Sequence, residues 1–395
     1  MRYCELPIVI FPQFNFFPQS EVYLLDALQT HVFKFQGYPS HVHRDVVPRT
    51  LNCSFALFVN VRAGEEEGTR CVLLQARRRF LLEARREILL THFIILTFLH
   101  SIMQLSASTV IAITGASSGI GAALAHELSL SSCTLALCAR RADKLSAVAN
   151  AARSNGSRVL EVVCDISDDS AARNFIEQTI AEFGTIDVLI NNAGRGNRAS
   201  VEDTTRERLQ SIFDLNVFSL WSTTAAALPV MKSHRKGHII TISSVAGKTG
   251  YGFNSAYVAA KHAAVGFVAS LRAELVDTGV RATVVCPAGV TTEWSEASED
   301  ASIGALFAEG IKRSRSIARE KSLPLPPLKP MMSAADAAKR IVQVIVNDEE
   351  NDVYTHEGSE KSALHCATNR SEYEYGMKAL YLGMQEAYEL QRNTN

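Results

Sequence analysis

Tyr257 and Lys261 stand four residues apart in a stretch whose pattern predicts a helix, so their side chains share one face. A phenol beside an ammonium is the outline of a proton-transfer pair. Free tyrosine has a pKa of about 10, and exchanging its proton near neutrality asks for a drop of roughly three units, or about 4 kcal/mol in favour of the phenolate. A nearby ammonium acts in that direction. By itself the spacing is common on exposed helix faces, so other residues must say whether anything reacts there.

Thr114-Gly115-Ala116-Ser117-Ser118-Gly119-Ile120-Gly121 lies between a predicted strand and a predicted helix. Glycines there let the backbone turn sharply and come close to a pyrophosphate, whose charge then rests on the helix N-terminus. Turns also favour glycine, but the strand–turn–helix setting that such a motif requires is present on both sides.

The spacing G-x-x-x-G-x-G, followed by Tyr257-x-x-x-Lys261, resembles the short-chain dehydrogenase/reductase family, over about Thr109 to His356. The resemblance implies hydride transfer between a nicotinamide cofactor and a carbonyl or secondary alcohol, with Tyr257 as general acid/base and the cofactor supplying the hydride. Ser244, thirteen residues before Tyr257, matches the family serine that bonds the substrate oxygen; its neighbour Ser243 is the structural alternative. Asn216 matches the asparagine that links the lysine to water, and read alone it is a polar residue inside a long helix. Asp165 matches the adenine-side acid, and Asn192, Ala193 and Gly194 match the motif after the fourth strand. Pro287, Val290 and Thr292 match the loop that meets the nicotinamide, with Ala288 in place of the usual glycine.

The second strand ends on Ala139-Arg140-Arg141. An acidic residue there would bind both ribose hydroxyls of NAD, whereas the fork of Arg140 suits a 2′-phosphate. NADP(H) is therefore expected, with NAD(H) as the alternative. The second basic residue that relatives carry before the middle glycine is replaced by Ser118.

These residues need a scaffold, and the pattern from Thr109 provides one. Short β-branched runs at 109–114, 134–139, 158–165, 188–191, 238–243 and 281–286 alternate with helical segments at 120–130, 143–154, 168–183, 205–232 and 256–277. That alternation predicts an α/β fold, a doubly wound Rossmann-type parallel sheet. Ser333 to Asp336 reads as a capping box opening a helix over 334–346, and 352–354 as a last short strand. Residues 106–358 are expected to form one dinucleotide-binding catalytic domain. Residues 359–395 are expected to form a C-terminal tail with a helix over about 372–390. The 293–330 segment, where specificity would lie, carries no motif that names a substrate.

Residues 1–105 look like an extension of uncertain structure, interrupted by Pro7, Pro12, Pro18, Pro39 and Pro48. Glu5 and Pro7 stand where a signal peptide would turn apolar, so none is expected. The uncharged run 88–105 follows Arg85 and Arg86 and is near the lower length limit for a membrane span, but it holds His92, His100 and Gln104. A cytoplasmic enzyme is expected, with membrane association of the endoplasmic-reticulum type through 88–105 as the alternative.

Composition is ordinary for a globular chain: 47% hydrophobic, 21% charged, net charge −1. That balance gives no reason to expect a nucleic-acid partner. The eight cysteines form no C-x-x-C, and no metal site is expected. The expected partners are a small, apolar carbonyl or alcohol and further copies of the chain. A non-catalytic nucleotide-sensing module is the competing reading.

Overall fold

The structure, a computed structural model, describes residues 104–292, 303–326, 328 and 330–392. The expectations for the extension and for a helix over 88–105 fall, up to Met103, outside the described residues. Among the described residues no helix is long and apolar enough to cross a membrane.

Seven parallel strands form the central sheet: β1 (Val110–Thr114), β2 (Thr134–Ala139), β3 (Val159–Val163), β4 (Val188–Asn191), β5 (Gly237–Ile242), β6 (Val280–Cys286) and β9 (Val353–Tyr354). Their order is β3-β2-β1-β4-β5-β6-β9. Helices α1 (Gly119–Ser129), α2 (Ala142–Ser154) and α8 (Ala334–Val346) carry the apolar residues of one core; α3 (Asp169–Phe183), α5 (Ser219–Ser233) and α6 (Ser255–Glu274) carry those of the other. The two-residue period of the strands sorts their side chains between these cores. Ile111, Ile113, Leu135, Leu137, Val188 and Ile190 face the first, with Leu124, Leu145 and Ile341. Ala112, Ala136, Cys138, Leu189 and Ile239 face the second, with Phe175, Met231 and Val268. Strands buried on both faces have no polar alternation, which is why they read as continuous apolar runs.

The strand order reverses between β1 and β4, and a crevice opens at the carboxyl ends of the strands at such a point. Thr114 and Asn191, the last residues of β1 and β4, both lie there.

The predicted helix over 205–232 forms as one helical run, Arg206 to Ser233, with a change of register inside it. It divides into α4 (Arg206–Phe213), one π turn at Asp214–Phe218, and α5. A second departure is a two-stranded sheet of β7 (Val290–Thr291) and β8 (Met332–Ser333), too short to leave a periodic signal. The Ser333 side chain caps α8 by accepting from the Asp336 amide, as its pattern predicts.

Beyond Gly358 the chain forms α9 (Ser359–Thr368) and α10 (Arg370–Arg392). The latter packs on α7 (Ile303–Glu320) through Leu306, Leu380, Met384 and Ala387. Tyr388 also stacks on Phe253, with ring centroids 4.4 Å apart, and its hydroxyl donates to Asp203 at 2.8 Å and accepts from the Ser200 amide at 3.0 Å. The polar C-terminal segment is thereby built onto the loops that lead to the crevice.

Candidate active site

The glycine turn is shaped by its neighbour across the crevice. Gly115 has φ +67°, and a Cβ there would stand 2.9 Å from the Cα of Ala193. At Gly121 a Cβ would come within 2.4 Å of the Gly115 carbonyl oxygen, so α1 can begin against the turn only with glycine there. The Thr114 hydroxyl accepts from the amides of Asn192 and Ala193, each at 3.0 Å. The Asn192 side-chain amide donates to the Thr114 carbonyl at 2.9 Å. The residues expected to touch a cofactor after β4 therefore also brace the phosphate turn after β1.

At the end of β2 the two arginines part. Arg140 lies 3.7 Å from Asp165, and both side chains are largely exposed. Burial of Asp165 opposes its ionisation, but hydrogen bonds from Ser167 and the charge of Arg140 prevail and hold the carboxyl below its ordinary range. Arg141 instead reaches into the glycine turn, donating to the hydroxyls of Ser117 at 3.1 Å and Ser118 at 2.5 Å. No local spacing marks Arg141 for this contact, because it depends on β2 lying beside β1.

Tyr257, Lys261, Ser244 and Asn216 come from three separate segments. Tyr257 and Lys261 lie one turn apart on α6 and are both buried. The Lys261 ammonium is 5.6 Å from the centre of the Tyr257 ring and donates to the Ile242 carbonyl at 2.9 Å. Ser244 follows β5, caps a short 3-10 turn and hydrogen-bonds with the Tyr257 phenol. Its hydroxyl also lies 3.3 Å from the Pro287 carbonyl. Ser243 points away and donates to the Lys261 carbonyl at 3.0 Å, which separates the two neighbouring serines.

Asn216 occupies the middle of the π turn. There the Ser219 amide reaches back five residues to Asp214. The Asn216 side chain donates to the carbonyls of Ile212 at 2.9 Å and Arg195 at 3.1 Å, which fixes its orientation. Its Oδ1 is buried with no hydrogen-bond partner and points toward Gly194, where a Cβ would lie 2.7 Å from it and 3.2 Å from Lys261 Nζ. One small residue thus leaves room for two polar groups to converge. π turns recur where a helix has been adjusted around a functional group; the sequence carried the asparagine but no signal for the turn.

Contrary to the lowering expected from the Lys261 spacing, burial pushes the Tyr257 phenol up to about 12, with the Ser244 hydrogen bond pulling the other way. Burial brings the Lys261 ammonium down to about 8. Near neutrality the site therefore presents a protonated phenol beside a charged ammonium. Such a pair can donate a proton to an oxygen held at Ser244.

The loop after β6 crosses in front of the glycine turn. Pro287 accepts from the Val245 amide at 2.9 Å, Val290 pairs with Met332, and Thr292 lies so close to Gly119 that a Cβ there would be 3.2 Å from the Thr292 Cβ. Thr292, Gly119 and Gly115 thus face one crevice from its two sides. Among the described residues no group of three His, Cys, Asp or Glu side chains could hold a metal.

Residues 109–302 match a family model described as short chain dehydrogenase. Over 196 residues the chain is 36% identical to the putative ketoacyl reductase of the monensin polyketide synthase of Streptomyces virginiae, an overlap covering 49% of this chain and 75% of that protein. Over 211 residues it is 34% identical to dehydrogenase/reductase SDR family member 7B of Bos taurus, covering 52% of this chain and 63% of that one. The crystal structure of levodione reductase superposes with a TM-score of 0.57 at 25% identity, covering 65% of this chain and 99% of that structure.

Proposed function

The chain belongs to the short-chain dehydrogenase/reductase family, NAD(P)-dependent oxidoreductases of CH–OH groups, and we propose that it is an NADP(H)-dependent carbonyl reductase with Tyr257 as its acid/base. The observation that carries this reading is a buried Tyr257 met by Ser244 and Lys261, with Asn216 Oδ1 turned to the same side of Gly194 as the Lys261 ammonium. The orphaned Asn216 Oδ1 suits a water molecule that would join it to Lys261.

Gly115, Ser117, Ser118, Gly119, Ile120 and Gly121 would hold the pyrophosphate at the N-terminus of α1. Asp165 would meet the adenine, while Asn192, Ala193, Gly194, Pro287, Val290 and Thr292 would line the nicotinamide side. A bound reduced nicotinamide supplies the hydride. Ser244 holds the carbonyl oxygen of the substrate, and Tyr257 gives that oxygen its proton as the carbon is reduced. Lys261 steadies the phenolate left behind, and the water at Asn216 returns a proton from solvent.

The preference for NADP(H) rests on two cations at the adenosine end. Arg140 directly follows β2, where the resemblance puts the group that meets a 2′-phosphate, and Arg141 donates to Ser118, the position where relatives carry a basic residue. A cavity of about 290 Å³ beside the loop joining Ser244 to Tyr257 is lined by Gly250, Gly252, Cys366, Tyr373 and Tyr381 together with the charged Arg370 and Glu374, so a substrate reaching it could carry both apolar and polar groups. The related ketoacyl reductase suggests a β-ketoacyl group among the carbonyls to try. We place the enzyme in the cytoplasm as a homo-oligomer; full-length protein that resists alkaline extraction from membranes would instead assign 88–105 an anchoring role.

The deciding experiment follows NADPH and NADH consumption by the purified chain against a panel of carbonyls, with cofactor binding measured in parallel. Turnover with NADPH is expected. Tight binding without turnover on any carbonyl would favour the nucleotide-sensing reading.

A further inference from the structure

Behind the loop that faces the nicotinamide side stands a histidine outside the catalytic set. His356 is the second residue after β9, and its ring is buried. Nε2 lies 3.0 Å from the Gly289 carbonyl oxygen. Nδ1 lies 3.4 Å from the Ala288 amide nitrogen and 2.8 Å from the Thr355 hydroxyl. A neutral imidazole has one donor and one acceptor. All three contacts agree with a single tautomer, in which Nε2–H donates to Gly289 and bare Nδ1 accepts from Ala288 and Thr355. The ring therefore grips successive residues of one loop, through an amide of one and a carbonyl of the next.

The rest of the loop is held elsewhere. Its start is fixed by the bonds to the Pro287 carbonyl from the Val245 amide at 2.9 Å and the Ser244 hydroxyl at 3.3 Å. Its far end is fixed by the pairing of Val290 and Thr291 with Met332 and Ser333. Ala288 lies between these attachments, and the Gly289 carbonyl, which His356 meets, also accepts from the Met332 amide at 2.9 Å. On one side of Ala288 and Gly289 the Pro287 carbonyl meets Ser244; on the other, Thr292 approaches Gly119. His356 and the Met332 amide together hold the Gly289 carbonyl, while the Ala288 amide is held by the ring, so the ring helps to set the spacing between those two contacts.

We propose that His356 is a positioning residue for the nicotinamide half of the cofactor, acting through the backbone of Ala288 and Gly289 on the placement of Thr292 and Pro287. The proposal rests on the cofactor reading given above. A loop already ordered by the ring loses little freedom when the cofactor binds, whereas a loose one must be ordered at that moment. The effect is local to the nicotinamide side, because the adenosine end is bound by the turn after β1 and the ends of β2 and β3.

The test uses His356→Phe, which keeps a ring but removes both nitrogens, and His356→Gln, which retains an amide donor for the Gly289 carbonyl. Dissociation constants for NADPH and for 2′,5′-ADP, which lacks the nicotinamide, are measured beside kcat, KM and thermal stability. His356→Phe should weaken NADPH about tenfold or more, the range expected for two lost hydrogen bonds, while 2′,5′-ADP stays within about twofold. His356→Gln should recover part of the loss. Equal weakening of both ligands, or unchanged NADPH binding and KM in His356→Phe, overturns the proposal. Should His356→Phe not fold, the same NADPH-to-2′,5′-ADP comparison in His356→Gln decides it. A wild-type chain that binds neither ligand overturns the cofactor reading itself, and the role of His356 with it.

Discussion

The guanidinium of Arg141 lies 2.5 Å from the hydroxyl of Ser118, joining the end of β2 to the turn that follows β1. A cation thus stands over a position that the sequence leaves uncharged. Arg140→Asp is expected to weaken NADPH about ten- to a hundredfold and to improve the relative use of NADH, the scale of a lost charge-assisted bidentate contact. Arg141→Ala should also cost NADPH more than NADH. Kinetic constants with both cofactors check this; equal losses in Arg141→Ala would make it a brace for the turn rather than a phosphate ligand.

Tyr257→Phe keeps the ring and removes the proton. Turnover should fall by about two to four orders of magnitude while NADPH binding, read by fluorescence titration, is retained. A Tyr257→Phe enzyme with near-normal turnover would end the acid/base assignment.

The pH dependence has a defined direction. Lys261 is charged below its value of about 8 and loses that charge as pH rises through it, while Tyr257 keeps its proton up to about 12. Since kcat/KM reports groups of the free enzyme, the value for carbonyl reduction should be level near neutrality and fall above about pH 8. A profile that stays level to about pH 10 would remove the titration of Lys261 from the mechanism.

Tyr388→Phe tests how firmly α10 is joined to the catalytic unit. The ring can still stack on Phe253, but the Ser200 amide loses its partner and Asp203 is left with its bonds from the Ser200 hydroxyl and Arg392. The expected loss is about 1–2 kcal/mol, or about 2–8 °C in Tm by calorimetry. An unchanged Tm would mean that the C-terminal helix is held by its apolar contacts with α7 alone.

Phe218, the last residue of the π turn, and Trp221, in the first turn of α5, are about half exposed, and Trp221 sits 4.9 Å from Phe267 of α6, centroid to centroid. A cluster of large exposed apolar side chains marks a surface for association. The chain is expected to form a dimer or tetramer through it, and Trp221→Glu should shift light scattering toward the monomer. A wild-type chain that is monomeric and fully active at micromolar concentration would reject the assembly.

Much of this protein is written in local patterns. The apolar runs from β1 to β6, the glycine turn opening α1, the Tyr257–Lys261 spacing and the Ser333 cap each depend on residues a few positions apart. Helix and strand geometry place such neighbours in space without help from the rest of the chain. The division of side chains between two cores then follows from burying those runs on both faces, whereas the strand order is set only by the tertiary fold. Other features have no local origin. Ser244 meets Pro287 across 43 positions, His356 meets Gly289 across 67, and Tyr388 meets Asp203 across 185. The π turn that aims Asn216 depends on the Arg195 carbonyl 21 positions away as well as on its own helix. Each of these contacts exists only once parallel strands, joined by crossovers, bring distant loops to the same edge of the sheet. The types and spacing of the reacting residues were therefore sequence properties, while their supports were decided by which strand ends the fold set side by side.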